Sequence, residues 1–278
     1  MSKRNVLTRM IFGLVREVIP TTLRFRLRNG IFNYKCRRMN SNDFYPVNLL
    51  KKNGIWSVTV NGDDFSILTV ERWALYVKGI PARLKELASA YGHGEYYQIE
   101  KGDVVVDIGP NVGEFSCFAA SLGASVYSVE ADKDIFRILS QNIKNKQIVA
   151  NNYPVWEKNM KLKFFHSMNN ADSSLIEPEE YSYTSEQDVV SLDWLLAQYD
   201  IDVIKVIKCD AEGAEPEVLR GALEILKKTQ FIAFDCGPER KGNTTIDECT
   251  DIISKAGFEK LTAKVKDRIV LVAKNKNL

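Results

Sequence analysis

The sequence predicts an α/β fold built on a doubly wound, mostly parallel sheet, with an N-terminal accessory region of helices and a hairpin. Short apolar runs alternate with helical patterns from residue 104 onward, as strands and covering helices do in such a sheet. Continuous Val and Ile runs are typical of parallel strands that are buried on both faces. The first run leads at once into a glycine-bearing turn, which is the usual place for a ligand site.

Composition limits the class of protein. With 278 residues, 45% of them hydrophobic and 27% charged, the chain can bury one large domain or two unequal ones. A net charge of +2 gives no overall argument for a nucleic-acid partner, and none is predicted. Five cysteines without a CxxC pair and only two histidines do not favour a zinc site, and no metal is predicted. The scattered cysteines, with neither a membrane-length apolar run nor a signal peptide, indicate a cytoplasmic protein.

The first 30 residues are basic, and apolar residues recur in them at helical spacing. Two interpretations stay open. The segment could attach the protein to an anionic membrane through residues 1–28, or it could be a helix that packs on the protein's own core. The first interpretation would bring an enzyme to a membrane where a lipid-linked substrate is made.

The accessory region is expected to span residues 1–93. Residues 56–68 alternate between apolar and polar around Asn61-Gly62, which predicts a hairpin. Residues 70–91 are mainly helical in pattern, with an interruption at residues 79–81. The glycines on either side of His93 end this pattern, so a second domain is expected at residues 94–278.

The glycine turn follows the predicted strand at residues 104–108 and precedes a predicted helix. It contains Asp107, Gly109, Asn111 and Gly113. Glycines allow a tight turn and close approach of a ligand, and helix-start N–H groups favour polar or anionic groups. The spacing is neither G-x-G-x-x-G nor a P-loop, so a turn without any ligand is the alternative.

A second strand, at residues 124–129, ends at Glu130 and is followed by Ala131. An acid at the end of the second strand, about 20 residues after the glycine turn, commonly accepts hydrogen bonds from ribose hydroxyls. A solvated acid at a strand end is the alternative. The turn and the acid together predict a nucleoside site.

The rest of the chain continues the alternation. Helices are predicted at residues 134–145, 191–196, 217–228 and 245–256, and strands at 148–155, 161–166, 203–209, 231–234 and 268–273. Carboxyl ends of parallel strands share one edge of a sheet, so Asp107, Glu130, Asp210 and Asp235 are expected around one crevice.

The most specific motif is Lys208-x-Asp210-x-Glu212-Gly213-x-Glu215, followed by Val-Leu-x-Gly-Ala at residues 218–222. It resembles the FkbM-type methyltransferases, and the resemblance extends to the glycine turn, the Asp-Ser-Ser of residues 172–174 and the Ser-Leu-Asp of residues 191–193. It covers residues 94–226 in the family's order. It implies a Rossmann-like methyltransferase domain and an S-adenosylmethionine-dependent O-methyltransferase that acts on a hydroxyl of a sugar, glycan, glycolipid-type or other small-molecule acceptor.

The chain departs from the family's common pattern at two positions. Pro110 stands where a small residue is usual, and it removes one backbone donor from the turn. Cys209 stands where Ile or Val is more usual, and it is expected in the core.

The resemblance also implies roles for individual residues. The expected cofactor-binding residues are Asp107, Gly109, Asn111, Gly113, Glu130, Ala131 and Asp210. Asp210 and Glu212 are the candidates for a general base or for orienting the acceptor, and His166 is a weaker candidate. The alternatives are that Asp210 caps a helix or binds the cofactor amine, that Glu212 and Glu215 are helix-start acids, and that His166 only ends a strand.

Two other functions compete with this prediction. A non-catalytic glycan-assembly or membrane-adaptor protein could retain the fold without transferring a methyl group. A nicotinamide-dependent oxidoreductase shares the fold but needs the compact G-x-G-x-x-G turn that this chain lacks.

Overall fold

The computed structural model describes residues 20–39, 43–167 and 172–278. The chain divides into two compact units, Met1–Arg83 and Leu84–Leu278. The expected domain boundary between residues 93 and 94 stays a prediction. The apolar residues from which a basic amphipathic helix was predicted, between residues 7 and 18, lie outside the described residues.

The first unit combines a long helix with a small antiparallel sheet. Its elements are helix α1 (Thr21–Met39), strands β1 (Val47–Lys52), β2 (Ile55–Val60) and β3 (Asp63–Ile67), and a 3-10 helix at Val70–Tyr76. The hairpin predicted around Asn61-Gly62 is confirmed, because β2 and β3 pair antiparallel there and both turn residues have positive φ. Strand β1 escaped prediction because it is largely exposed and lacks a clear alternation.

The second unit contains a seven-stranded sheet within its described residues. Its strands are β4 (Val104–Ile108), β5 (Ser125–Val129), β6 (Ile148–Asn151), β9 (Ile204–Cys209), β10 (Thr229–Asp235), β11 (Phe258–Thr262) and β12 (Val270–Asn275). The spatial order is β11-β12-β10-β9-β4-β5-β6, and β12 alone runs antiparallel to its neighbours. The predicted doubly wound, mostly parallel sheet is confirmed.

Helices lie between these strands in the chain, as predicted. Helix α2 (Ile80–Ala90) precedes β4, and the helices between the strands are α3 (Glu114–Ser121), α4 (Lys133–Asn142), α5 (Leu192–Leu196), α6 (Glu215–Arg220), α7 (Leu223–Lys227) and α8 (Ile246–Lys255). Ser191 caps α5 as expected, with its Oγ accepting from the Trp194 N–H at 3.2 Å. The single helix predicted at residues 217–228 is wrong, because α6 and α7 are separate. Gly221 separates them, and a Cβ there would lie 2.1 Å from the carbonyl oxygen of Trp156.

A second small sheet corrects another prediction. Strand β7 (Met160–His166) was expected, but it pairs antiparallel with β8 (Tyr183–Val189) and lies outside the large sheet. Strand β8 was missed because its side chains are mostly polar and exposed. Strand β11, also mostly exposed, was missed for the same reason.

The order of the strands fixes the position of the site. From β4 the chain passes outward through β5 and β6, and it returns to the other side of β4 as β9. The strand order therefore reverses between β4 and β9. In open α/β sheets, ligands bind in the crevice outside the carboxyl ends of the strands at this point.

Candidate active site

Gly109 allows the ends of β4 and β9 to approach each other closely. Ile108 lies beside Cys209 in the parallel register, and the Asp210 N–H donates to the Ile108 carbonyl at 3.1 Å. Gly109 has a φ of 64°, and a Cβ there would lie 1.9 Å from the carbonyl oxygen of Asp210. The left-handed backbone conformation of Gly109 disfavours a side chain at this position, and the nearby backbone of Asp210 leaves no room for one.

The turn after Gly109 is held by its own backbone and by β5. The Gly113 N–H donates to the Pro110 carbonyl at 2.9 Å, so the proline contributes an acceptor to the turn. Asn111 has a φ of 53°, and its N–H donates to Oε2 of Glu130 at 3.2 Å. The turn and the acid at the end of β5, which the sequence predicted as parts of one site, are in direct contact.

Glu130 and Ala131 both line a cavity at this edge of the sheet. The Glu130 carboxylate also accepts from the Asp132 N–H at 2.9 Å, and Asn152 donates to the Glu130 and Ala131 carbonyls at 2.7 and 3.2 Å. Burial raises the pKa of Glu130 to about 8. The segment is therefore fixed by several hydrogen bonds.

Asp107 lies behind the glycine turn, and it is not among the residues that line the cavity. It forms a buried ion pair with Lys208 at 3.1 Å, and Ser116 Oγ donates to it at 2.5 Å. Lys208 Nζ also donates to the Gly109 carbonyl at 2.6 Å. Asp107 thus orders the turn from inside the protein, while its expected contact with the cofactor stays a prediction.

The family motif contains Lys208 but does not by itself indicate a role for it. A lysine inside an apolar strand predicts a buried ion pair, because a buried lysine nearly always has a charged partner. Burial would lower the pKa of Lys208, but the charges of Asp107 and Asp210 raise it above its ordinary value. The lysine therefore stays charged inside the sheet.

Asp210 lines the cavity and is held by two residues that sequence analysis missed. Tyr91 Oη donates to Asp210 Oδ2 at 2.5 Å, and Arg268 Nη2 lies 3.3 Å from the same oxygen. The Arg268 guanidinium also pairs with Asp235, and its carbon lies 4.9 Å from the centre of the Tyr91 ring. The four side chains form one network at the ends of β9, β10 and β12.

The tyrosine of this network is a hydrogen-bond donor at all ordinary pH values. Burial, followed by the charge of Asp210, raises the pKa of Tyr91 well above its usual range. Both contacts to Asp210 use Oδ2, so Oδ1 is the oxygen available to a ligand in the cavity. Asp210 does not cap the next helix, since the N-cap of α6 is Ala214 and no side chain caps it there.

The loop after Asp210 is held from both sides. Glu215 is buried and accepts from the N–H groups of Ala211 and Gly213 at 3.0 and 3.1 Å. Ser174 Oγ, from the Asp-Ser-Ser segment, donates to the Glu212 carbonyl at 2.8 Å. Two separate parts of the family motif therefore meet at Glu212.

Glu212 is in the left-handed region with a φ of 50°, which is strained for a residue other than glycine, and it lines the cavity. Burial and the nearby charge of Asp210 raise the pKa of Glu212 to about 9. At neutral pH the carboxyl group is thus protonated, and it can donate a hydrogen bond but cannot take up a proton.

His166 is buried in the small sheet and is not among the cavity-lining residues. Its Nδ1 lies 3.3 Å from Asp132 Oδ2, and its Nε2 lies 2.8 Å from Ser185 Oγ. The ring of Tyr183 stacks on it with centroids 4.0 Å apart. A catalytic role for His166 stays a prediction, and these contacts favour a positioning role between the small sheet and the cavity wall.

The cavity is partly open to solvent. Its acidic lining residues are Glu130, Asp132, Asp210 and Glu212, and no Lys, Arg or His is among the described residues that line it. Apolar side chains such as Ile108, Val129 and Phe164 form the rest of the wall. The cavity therefore suits a ligand with an apolar surface and positive charge.

Residues 20–39, 43–167 and 172–278 were searched for membrane-spanning helices and for metal sites. No helix among them is both long enough and apolar enough to cross a bilayer. No group of three or more His, Cys, Asp or Glu in these ranges is arranged to hold a metal ion.

The sheet order, the glycine turn at the switch point and the acid at the end of β5 together are the arrangement of a Rossmann-like methyltransferase domain. The family model "Methyltransferase FkbM domain" matches residues 107–260, which is more than half of the chain. The protein belongs to the FkbM methyltransferase family.

Two curated relatives show how far similarity extends. The chain is 27% identical over 140 residues to "Hexuronic acid methyltransferase AglP" of Haloferax volcanii, which covers 50% of this chain and 57% of the relative. It is 35% identical over 77 residues to "Ribosomal RNA small subunit methyltransferase A" of Clostridium botulinum, which covers 27% of this chain and 26% of that relative. The chain spans less than two thirds of either relative.

Solved structures with a similar fold include two archaeal fibrillarins. The Methanococcus jannaschii protein has a TM-score of 0.45 at 12% identity, with 83% of this chain and 98% of that chain covered. The Aeropyrum pernix protein, solved with S-adenosyl-L-methionine, has a TM-score of 0.44 at 11% identity, with 82% and 98% covered.

The residues of the cavity fit S-adenosylmethionine chemically. This donor carries a sulfonium and an ammonium group, and the described lining of the cavity contains acidic side chains but no Lys, Arg or His. Glu130 lies at the strand end where a ribose acceptor is expected. The apolar wall provides a surface for the adenine ring of this donor.

Proposed function

We propose that the protein is an O-methyltransferase that transfers the methyl group of S-adenosylmethionine to a hydroxyl of a sugar, glycan or glycolipid-type acceptor. The observation that carries the proposal is the Asp210 carboxylate, which lines the cavity while Tyr91 and Arg268 hold one of its oxygens. Support for a sugar acceptor comes from the similarity to a protein named as a hexuronic acid methyltransferase.

In this proposal the glycine turn and the end of β5 bind the nucleoside part of the cofactor. Asn111, Glu130 and Ala131 line the cavity there, and the backbone hydrogen bond between Asn111 and Glu130 keeps them together. Asp132 also lines this wall and is fixed by the two N–H groups that it caps at the start of α4. The binding surface is therefore formed before the ligand arrives, which reduces the entropy lost on binding.

Asp210 is proposed to orient the acceptor hydroxyl and to take its proton. S-adenosylmethionine supplies an electrophilic methyl group, so the protein has to position the acceptor oxygen and remove one proton. Tyr91 and Arg268 fix Oδ2, which leaves Oδ1 to accept from the hydroxyl. A positioned base of this kind typically contributes about 10²–10⁴ in rate.

Glu212 is proposed to act as a hydrogen-bond donor at neutral pH. Its pKa of about 9 keeps it protonated, so it can hold another acceptor oxygen but is not the base. Asp210 is thereby favoured over Glu212 as the base.

The experiment uses S-adenosylmethionine with a labelled methyl group and three fractions of the source cells: glycans, lipid-linked glycans and RNA. Mass spectrometry then locates the label. The proposal expects an O-methyl sugar in a glycan or lipid-linked fraction. Label in RNA alone would contradict it and would also contradict the prediction of no nucleic-acid partner, and a non-catalytic adaptor protein would label none of the fractions.

A further inference from the structure

One face of helix α1 carries a row of exposed apolar side chains. Leu23, Leu27, Ile31 and Tyr34 are 46%, 52%, 57% and 61% exposed. They follow one another at steps of four, four and three residues, so they lie along a single stripe of the helix. We call this set the α1 stripe. Scattered exposed apolar residues are normal, but a continuous row of them marks a surface that binds something apolar.

The opposite face of α1 holds the helix on the first unit. The side-chain amides of Asn29 and Asn33 donate to the Val47 carbonyl at 3.0 and 2.8 Å. The Phe32 ring packs on Trp73 with centroids 5.3 Å apart. The helix is therefore anchored by this opposite face, and the residues of the α1 stripe are exposed.

Cations flank the α1 stripe on both sides. At 100° per residue, Arg28 and Lys35 fall on one side of the stripe, and Arg26 and Arg37 fall on the other. All four of these residues are exposed, and α1 contains no Asp or Glu. The Arg26 guanidinium carbon also lies 5.2 Å from the centre of the Trp56 ring. An apolar stripe between two rows of cations is the pattern of a helix that lies in the plane of an anionic membrane.

We infer that the α1 stripe and its flanking cations dock the protein on an anionic lipid surface. The apolar side chains enter the boundary between headgroups and acyl chains, and the cations on both flanks pair with lipid phosphates. An apolar groove of a partner protein would account for the stripe but not for cations on both sides of it. This surface is distinct from the apolar residues before position 19, which lie outside the described part of the chain.

Vesicle co-sedimentation of the full chain tests the inference. The probes are phosphatidylcholine vesicles with and without phosphatidylglycerol, over a range of salt concentrations. Binding is expected only to the anionic vesicles and is expected to weaken as salt rises. Leu27→Ser with Ile31→Ser should weaken binding by roughly tenfold or more, because two aliphatic side chains no longer enter the lipid.

The matched control is Leu223→Ser with Leu261→Ser, since both leucines are exposed but lie in the second unit. It should bind vesicles as the unchanged protein does. A second variant, Lys35→Gln with Arg37→Gln, should bind less and depend less on salt, and it keeps the inference testable if the serine variant misfolds. Circular dichroism and S-adenosylmethionine affinity report folding.

Three results would overturn the inference. One is equal binding of the unchanged protein to neutral and anionic vesicles, or to neither. Another is undiminished binding by both α1 variants. The third is a dimer in light scattering that the serine variant converts to monomer, which would assign the α1 stripe to a second copy of the chain.

Discussion

Replacing Tyr91 with Phe isolates the contribution of a single hydrogen bond to methyl transfer. The change removes the hydroxyl that donates to Asp210 at 2.5 Å and keeps a ring that is 1% exposed and lies 6.0 Å from the Phe115 ring. A hydrogen bond to a charged group contributes about 1.5–3 kcal/mol. If this bond holds Asp210 in its reactive position, kcat should fall by roughly 10- to 150-fold.

The assay measures transfer of a labelled methyl group to the glycan fraction, and calorimetry measures S-adenosylmethionine affinity separately. Affinity should change by less than about twofold, since the hydroxyl acts on the acceptor side. Tyr97→Phe is the matched control, because Tyr97 is also buried and its hydroxyl has no hydrogen-bond partner in the described part of the chain. Equal kcat values for the two variants would refute the positioning role of Tyr91.

Three further predictions concern the cavity and the sheet below it. Gly109→Ala should abolish cofactor binding and lower the free energy of unfolding by about 2–5 kcal/mol, whereas Gly102→Ala, with positive φ but open space around it, should lower it by about 1–2 kcal/mol. Burial raises the pKa of Glu130 to about 8 and of Glu212 to about 9, against about 4.3 when unfolded, so stability should fall as pH rises from about 5 to 9. Over the upper part of that range, affinity for the cationic cofactor should rise, because the cation favours ionised carboxylates and binding releases protons. Lys208→Met should lower the free energy of unfolding by about 3–5 kcal/mol, because its buried carboxylate partner loses its counter-ion.

The measurements for these three are urea unfolding at several pH values and calorimetry in buffers with different heats of ionisation. Equal losses of stability from the changes at Gly109 and Gly102 would show that the backbone at the end of β9 leaves room for a side chain at Gly109. Affinity that falls between pH 7 and 9 would contradict the proposed charges of the cavity. A Lys208→Met protein as stable as the unchanged one would contradict the ion pair.

The parts of the site that lie next to one another in the chain could be predicted from the sequence. The glycine turn follows its strand directly, and Glu130 ends the next strand, so strand patterns alone place them at one edge of the sheet. The residues that hold Asp210 could not be predicted in this way. Tyr91 and Arg268 lie 119 and 58 residues from it in the chain, and each is an ordinary residue of its local segment.

Two other features depend on tertiary structure, which single-sequence patterns do not show. Glu212 looks like any acid near the start of a helix, and only its enclosure beside Asp210 raises its pKa to about 9. Strand β8 is polar along most of its length, so its pairing with β7 comes from tertiary structure and not from alternation. His166, which ends β7, is a candidate base from the sequence alone. In the structure Nδ1 of its ring contacts Asp132 and Nε2 contacts Ser185 of β8.

The most direct test of the proposed mechanism is the Asp210→Asn variant, with cofactor affinity and methyl transfer measured on the same preparation. The side chain keeps its shape and one oxygen but can no longer accept the proton of the acceptor hydroxyl. We expect S-adenosylmethionine affinity to stay within a few-fold of the unchanged protein and turnover to fall by about 10²–10⁴. Loss of cofactor binding, or turnover at the original rate, would contradict the assignment of Asp210 as the base.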